Sequence, residues 1–111
     1  MLLPVQQVAA DLINHPQAGE AHYRAAVSRQ YYALFILARD KLGIDQREEV
    51  HQAVAEALTE RNQKAGMYLS QLRQLRNRAD YVFPSGDTWK RAATVHQSLA
   101  ESMAKTIEAL K

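Results

Sequence analysis

Four polar side chains on one short stretch could do chemistry together. In Leu72–Tyr81, Leu-Arg-Gln-Leu-Arg-Asn-Arg-Ala-Asp-Tyr, Arg73, Arg76 and Asp80 fall at i, i+3 and i+7, with Asn77 beside them. At the helical period they make one polar stripe, while Leu72, Leu75 and Ala79 make an apolar one on the same helix. A local basic patch of this kind can bind phosphate. The alternative is a solvated face on which Arg76 and Asp80 form an i,i+4 ion pair contributing about 0.2–0.5 kcal/mol.

Other chemistries find no support in the residue pattern. There is no Gly-rich phosphate loop, no His-x-x-x-His or His-Glu-x-x-His pair and no Gly-x-Ser-x-Gly elbow. The four histidines, at 15, 22, 51 and 96, lack ligand-like spacing, so neither a metal nor another cofactor is expected. The absence of cysteine excludes disulfides and thiolate metal sites and is compatible with a cytoplasmic location. No apolar run approaches the ~18–20 residues of a membrane span, and the start, Met1-Leu2-Leu3-Pro4, does not read as a signal peptide.

The net charge of +2 is too small to imply nucleic acid by itself, but its distribution is uneven. From Glu56 onward nine Lys/Arg oppose six Asp/Glu, whereas the first fifty-five residues hold five against six. The surplus gathers at Arg73, Arg76, Arg78, Lys90 and Arg91.

The elements that must position this stripe are all helical. The 111 residues suffice for one domain with a single core. Pro4 suits a first helical turn, and Val5, Val8, Ala9, Leu12 and Ile13 continue an amphipathic pattern that Asn14-His15-Pro16 ends. The stretch from Glu20 to Leu42 is the most apolar of the chain. Tyr23, Val27, Tyr31, Leu34 and Ala38 form one face, and Tyr32, Phe35 and Ile36 carry apolar surface round the side. Such a helix must sit centrally in a bundle, be covered by a second subunit, or both.

Gly43 is a C-terminal stop with Lys41 in the last turn. Asp45, with Glu48 three residues on, fits a capping box for a third helix whose core stripe is Val50, Ala53, Val54, Ala57 and Leu58. His51 lies one position off Val50 and reads as surface. The polar run Thr59–Gly66 should end that helix at the glycine. A fourth helix is expected over Met67–Val82, broken by Phe83-Pro84-Ser85-Gly86, with Ser85 or Asp87 capping a fifth. There Trp89, Ala92, Ala93, His96, Leu99, Met103, Ile107 and Leu110 form a stripe in which His96 reads as a hydrogen-bonded core residue. With no strand-like alternation, the expected architecture is an all-α, up-and-down four-helix bundle with a short additional N-terminal helix.

The Ser-Arg-x-Tyr-Tyr-Ala-x-Phe pattern at Ser28–Phe35, followed some forty residues on by Leu-Arg-x-x-Ala-Asp-Tyr at Leu75–Tyr81, resembles the HEPN family. The likeness is greatest to the small prokaryotic branch carrying Ala-Asp-Tyr, and it spans roughly Glu20 to the final helix. The resemblance implies a HEPN-like bundle acting as a homodimer on RNA or a nucleotide. It also implies a toxin–antitoxin or defence pair with a separately encoded nucleotidyltransferase. Many members are metal-independent ribonucleases, with an arginine followed four to six residues later by a histidine. In such chemistry the arginine stabilises charge developing on the phosphate and the histidine moves a proton.

Here Arg76 and Asn77 stand where the family's Arg-Asn pair stands, but Tyr81 holds the place of the histidine, and Ile36 follows the phenylalanine that a histidine often follows in relatives. The family places an arginine at the position of Arg29 near the polar stripe. The expected phosphate-binding set is therefore Arg73, Arg76, Asn77 and Arg29, with Arg76, Asp80 and Tyr81 as the catalytic set if the chain is an active ribonuclease. Tyr81, with an ordinary pKa near 10, is a poor proton shuttle at pH 7. A hydrogen-bonded structural role for it stays open, as does a non-catalytic interaction module whose stripe serves only the dimer interface.

Overall fold

Glycine 43 shows how closely local sequence dictates the course of the chain. It takes φ 69°, ψ 31°, and its N–H donates to Asp40 O while the Ile44 N–H donates to Arg39 O. This left-handed C-cap is cheap for glycine and stops the second helix where the apolar pattern stops.

The computed structural model describes residues 4–15, 19–81 and 86–110. Among these the elements are helices α1 (Pro4–Ile13), α2 (Glu20–Leu42), α3 (Val50–Arg61), α4 (Gln63–Tyr81) and α5 (Gly86–Glu108), with no strand. They form a helical bundle of 40 × 29 × 22 Å. The expected cap at Ser85 and the expected end of α4 at Val82 lie outside the described residues, as does the Asp87 side chain.

Helix α2 is the axis, packed against each of the other four helices. Val27, Tyr31, Leu34 and Ala38 are fully or almost fully buried, as the pattern requires, with Ala26, Ala33 and Phe35 beside them. Its N-terminus is closed by His22, whose Nδ1 accepts the Gly19 N–H at 3.3 Å. Buried Gln30 ties α2 to α5 by donating to Ala93 O at 2.9 Å and Gln97 Oε1 at 3.1 Å.

Three expectations need correction. Helix α3 does not start from an Asp45 capping box. It starts at Val50 behind Glu49, which sits in the left-handed region at φ 49°, ψ 35° with no side-chain cap, and Asp45 and Glu48 are exposed. Nor does Gly66 end α3. The helix stops at Arg61, and Asn62 alone joins it to α4, capping α4 by accepting the Ala65 N–H on Oδ1 at 3.0 Å. Gly66 lies inside α4 because α3 and α4 meet there almost backbone to backbone. A Cβ on Gly66 would fall 2.0 Å from Thr59 Oγ1 and 2.5 Å from Thr59 Cα.

The third correction concerns stripe register. On α5 the buried line is Trp89, Ala93, Ala100, Ala104 and Ile107, whereas Leu99 stays 46 % exposed. Small alanines let α5 approach α2, and the larger Leu99 is left on the outer flank. On α1, Ala9 is buried and Val8 is turned outward, 46 % exposed.

Candidate functional site

Tyrosine 31 and Tyr32 are neighbours on α2, and the helix turns them toward α3 and α4. Tyr31 is buried, and its hydroxyl lies 2.5 Å from His51 Nδ1 at the start of α3. A buried tyrosine needs a partner for its hydroxyl, and His51 is that partner. The imidazole stacks on Phe35, centroids 4.2 Å apart at 23°, and lies 5.6 Å from the Tyr31 ring. His51 is therefore half-buried and fixed by three α2 aromatics, Tyr31, Tyr32 and Phe35, rather than a surface residue.

Across from it run the arginines of α4. The Arg76 Nη2 donates to the Tyr32 hydroxyl at 2.7 Å, and its guanidinium carbon lies 4.7 Å from the Tyr32 ring centroid and 5.9 Å from that of Tyr31. Arg73 is half-buried, one helical turn earlier, and its Nε is buried without a hydrogen-bond partner among the described residues. Together Tyr31, His51, Ala55, Leu69, Ser70, Arg73, Gln74 and Asn77 line a cleft of about 260 Å³ between α3 and α4, floored by α2.

The electrostatics follow from that enclosure. Partial burial, and then the charges of Arg73 and Arg76, hold the His51 pKa below its ordinary value, favouring neutral imidazole. Burial pushes Tyr31 up to about 12 against the pull of the same arginines, so its hydroxyl stays protonated. On the far side of Arg73, Glu56 and Glu60 line an adjoining hollow. An anion is therefore favoured on the Asn77 side of the cleft, not the Glu60 side.

Of the sequence-derived site residues, the fold brings Arg73, Arg76 and Asn77 to one edge of α4. Arg29 lies one turn before Tyr32 on α2 and is exposed. Asp80 and Tyr81 belong to the last turn of α4, and their side chains lie outside those described, as does the expected Arg76–Asp80 pair. The sequence pattern does not assign His51, Tyr31 or Tyr32 to the site. A signal for His51 was present: Val54 and Leu58, the buried centre of the α3 stripe, are i+3 and i+7 from it.

A second histidine follows the expectation for its kind. His96 Nδ1 pairs with the Tyr68 hydroxyl at 2.7 Å between α5 and α4, and burial lowers its pKa. Among the described residues no three His, Asp or Glu side chains gather as metal ligands would, and no helix is long and apolar enough to cross a membrane.

Comparison with family models, with curated proteins and with solved structures finds no match for this chain.

Proposed function

We propose that this chain is a HEPN-like, up-and-down helical protein that binds RNA or nucleotide phosphate in the α2–α3–α4 cleft as a homodimer. The observation that carries the reading is Arg73: a cation on the cleft wall, beside Asn77, whose buried Nε has no protein acceptor among the described residues. A buried donor left unmatched is costly, and a phosphate oxygen entering the cleft is the acceptor its chemistry suits. Arg76 and Asn77 continue the same edge of α4 along a nucleic-acid backbone, and Arg29 is a further cation that the sequence resemblance assigns to the phosphate-binding set.

Dimerisation is supported by an apolar flank. Met67 on α4 and Val95 and Leu99 on α5 are 53 %, 49 % and 46 % exposed, and Met67 and Leu99 border one groove. A toxin–antitoxin or defence setting in the cytoplasm, with a nucleotidyltransferase as protein partner, rests on the sequence resemblance alone.

Fluorescence anisotropy with a labelled mixed-sequence RNA tests the reading. Binding should weaken steeply with salt. Arg73→Ala should weaken it by about 10–100-fold, the loss of one or two charge-assisted hydrogen bonds. Salt-independent binding, or equal affinity in the variant, would remove the phosphate-binding proposal.

A further inference from the structure

We infer that the open groove between α4 and α5 is a binding site for a single-chain amphipathic anion of the fatty carboxylate class. The inference stands apart from phosphate binding, because the groove shares no lining residue with the cleft that holds Arg73 and Asn77. Helix α4 separates the two. It offers Ser70, Arg73 and Asn77 to the cleft, and Met67, Tyr68 and Gln71 to the groove.

The groove follows from the way α5 is seated. Ala93, Ala100 and Ala104 are buried and let α5 pack closely on α2, and of the helices that α5 touches, α4 is the one it touches least. The space left is about 810 Å³. That lies within the ~300–1,000 Å³ of small-molecule sites, which often form between the helices of a bundle. Tyr68 belongs to the wall and is only 9 % exposed, its hydroxyl held 2.7 Å from His96 Nδ1. This part of the wall is therefore preformed.

The chemistry of the lining is ordered along its length. Met67, Leu99 and Met103 supply apolar surface, and Met67 and Leu99 hold much of theirs in water. Methionine, flexible and polarisable, adapts to a chain that has no fixed shape. Asn62, Gln63 and Lys64 lie together at the start of α4. Among the described lining residues Lys64 carries the one charge, and it is exposed. The positive end of the α4 dipole lies at the same place.

The complementary ligand has one apolar chain and one anionic head. A single lysine matches a single negative charge, which favours a carboxylate over a dianionic phosphate. From Lys64 to Gln71 the wall runs about 10 Å along α4, the reach of a medium-length chain. A membrane-binding face would gather several cations around its apolar residues, and the described lining has one. Val95 lies outside that lining, so the flank keeps apolar surface for a second copy when the groove is filled.

The test titrates decanoate, below its micelle concentration, into the full chain carrying 13C-labelled methionine methyl groups. Decanol and decyltrimethylammonium are titrated alongside. Decanoate should give saturable shifts of the Met67 and Met103 signals, with decanol weaker and the cationic amphiphile weakest. Lys64→Glu should weaken decanoate by about 3–10-fold and leave decanol unchanged. Leu99→Asp, at an exposed position, should remove saturable binding of both.

Absence of a saturable shift in the millimolar range overturns the inference. So does equal affinity for the three amphiphiles, which needs no variant to fold, and so does decanoate binding that either substitution leaves unchanged. If phosphatidylglycerol vesicles bind where decanoate does not, the groove faces a membrane and the assignment is wrong. If the two methionine signals move on dilution and not with decanoate, a second copy fills the groove and the assignment is equally wrong.

Discussion

The Tyr31 hydroxyl and His51 Nδ1 meet at 2.5 Å across the α2–α3 interface, twenty residues apart in sequence. Both groups have their neutral forms favoured, and for one shared reason. Burial disfavours the tyrosinate and the imidazolium alike, and the two α4 arginines further disfavour the latter. The pair is thus a neutral hydrogen bond set beside fixed positive charge, an arrangement that stays intact over the neutral range and weakens at both extremes.

Stability should therefore fall on both sides of neutrality. The native pKa values of His51 and His96 are lowered, so the unfolded chain binds more protons as pH falls below the ordinary imidazole value. Their contribution is complete above that value and is lost as pH falls through the native ones. Tyr31 is raised from 10.0 to about 12, so the unfolded chain ionises first, and stability is lost as pH rises from the lower figure to the higher. Thermal unfolding monitored by circular dichroism should show a lower Tm at acid pH than at pH 7. A double His51→Gln, His96→Gln variant should flatten that slope, and an unchanged slope would contradict the assignment.

The Arg76–Tyr32 contact should prove more than surface decoration. The guanidinium both donates to the hydroxyl at 2.7 Å and approaches the ring at 4.7 Å. Tyr32→Phe removes only the hydrogen bond and should cost about 0.5–1.5 kcal/mol. Tyr32→Leu removes the ring face as well and should cost a further ~0.5–1 kcal/mol. In a double-mutant cycle with Arg76→Ala the coupling should be favourable. Additive effects in urea unfolding would mean that the contact contributes nothing.

Much of the fold was legible because it depends on local pattern. The central position of α2 follows from apolar residues on nearly every flank, and its end at Gly43 from the residue that pays least for a left-handed cap. The α3–α4 boundary was misread because Gly66 has two uses, ending a helix or admitting a neighbour, and only the packed fold selects one. At the site, Arg73, Arg76 and Asn77 were visible as a stripe on one helix. Spacing could place Tyr31 and His51 on the inner faces of their helices, but that they and Tyr32 meet the α4 arginines depends on contacts between helices that no spacing along the chain encodes.

Glu49 pays a backbone penalty that glycine would not. Its φ of 49° lies in the left-handed region, and no side-chain cap offsets it. Glu49→Gly removes a cost of about 1–2 kcal/mol and adds back up to about 1 kcal/mol through the freer unfolded chain. The net expectation is stabilisation by up to about 2 kcal/mol in urea unfolding. Glu49→Val, β-branched and unsuited to this φ, should destabilise instead. If both variants matched the wild type, the left-handed start of α3 would be in error.

Gly66→Ala sets two opposing effects against each other, and their magnitudes decide the sign. Within an exposed helix the change would stabilise by about 1 kcal/mol, because alanine is the better helix former. At this position the new methyl would lie 2.5 Å from Thr59 Cα and 2.6 Å from Thr59 N, both backbone atoms that a rotamer change cannot move. Separating α3 from α4 to admit it should cost about 1–3 kcal/mol. The strain would fall next to Leu58 and Leu69, and the displacement would widen the cleft between His51 and Arg73. Gly66→Ala should therefore lower the midpoint of urea unfolding and, if the proposed phosphate site lies in this cleft, weaken RNA binding together with it. Thr59→Gly, which removes Oγ1 but leaves the Thr59 backbone in place, should not rescue it. A stabilised Gly66→Ala protein would show that helix propensity wins and that α3 and α4 are less closely apposed than the structure places them.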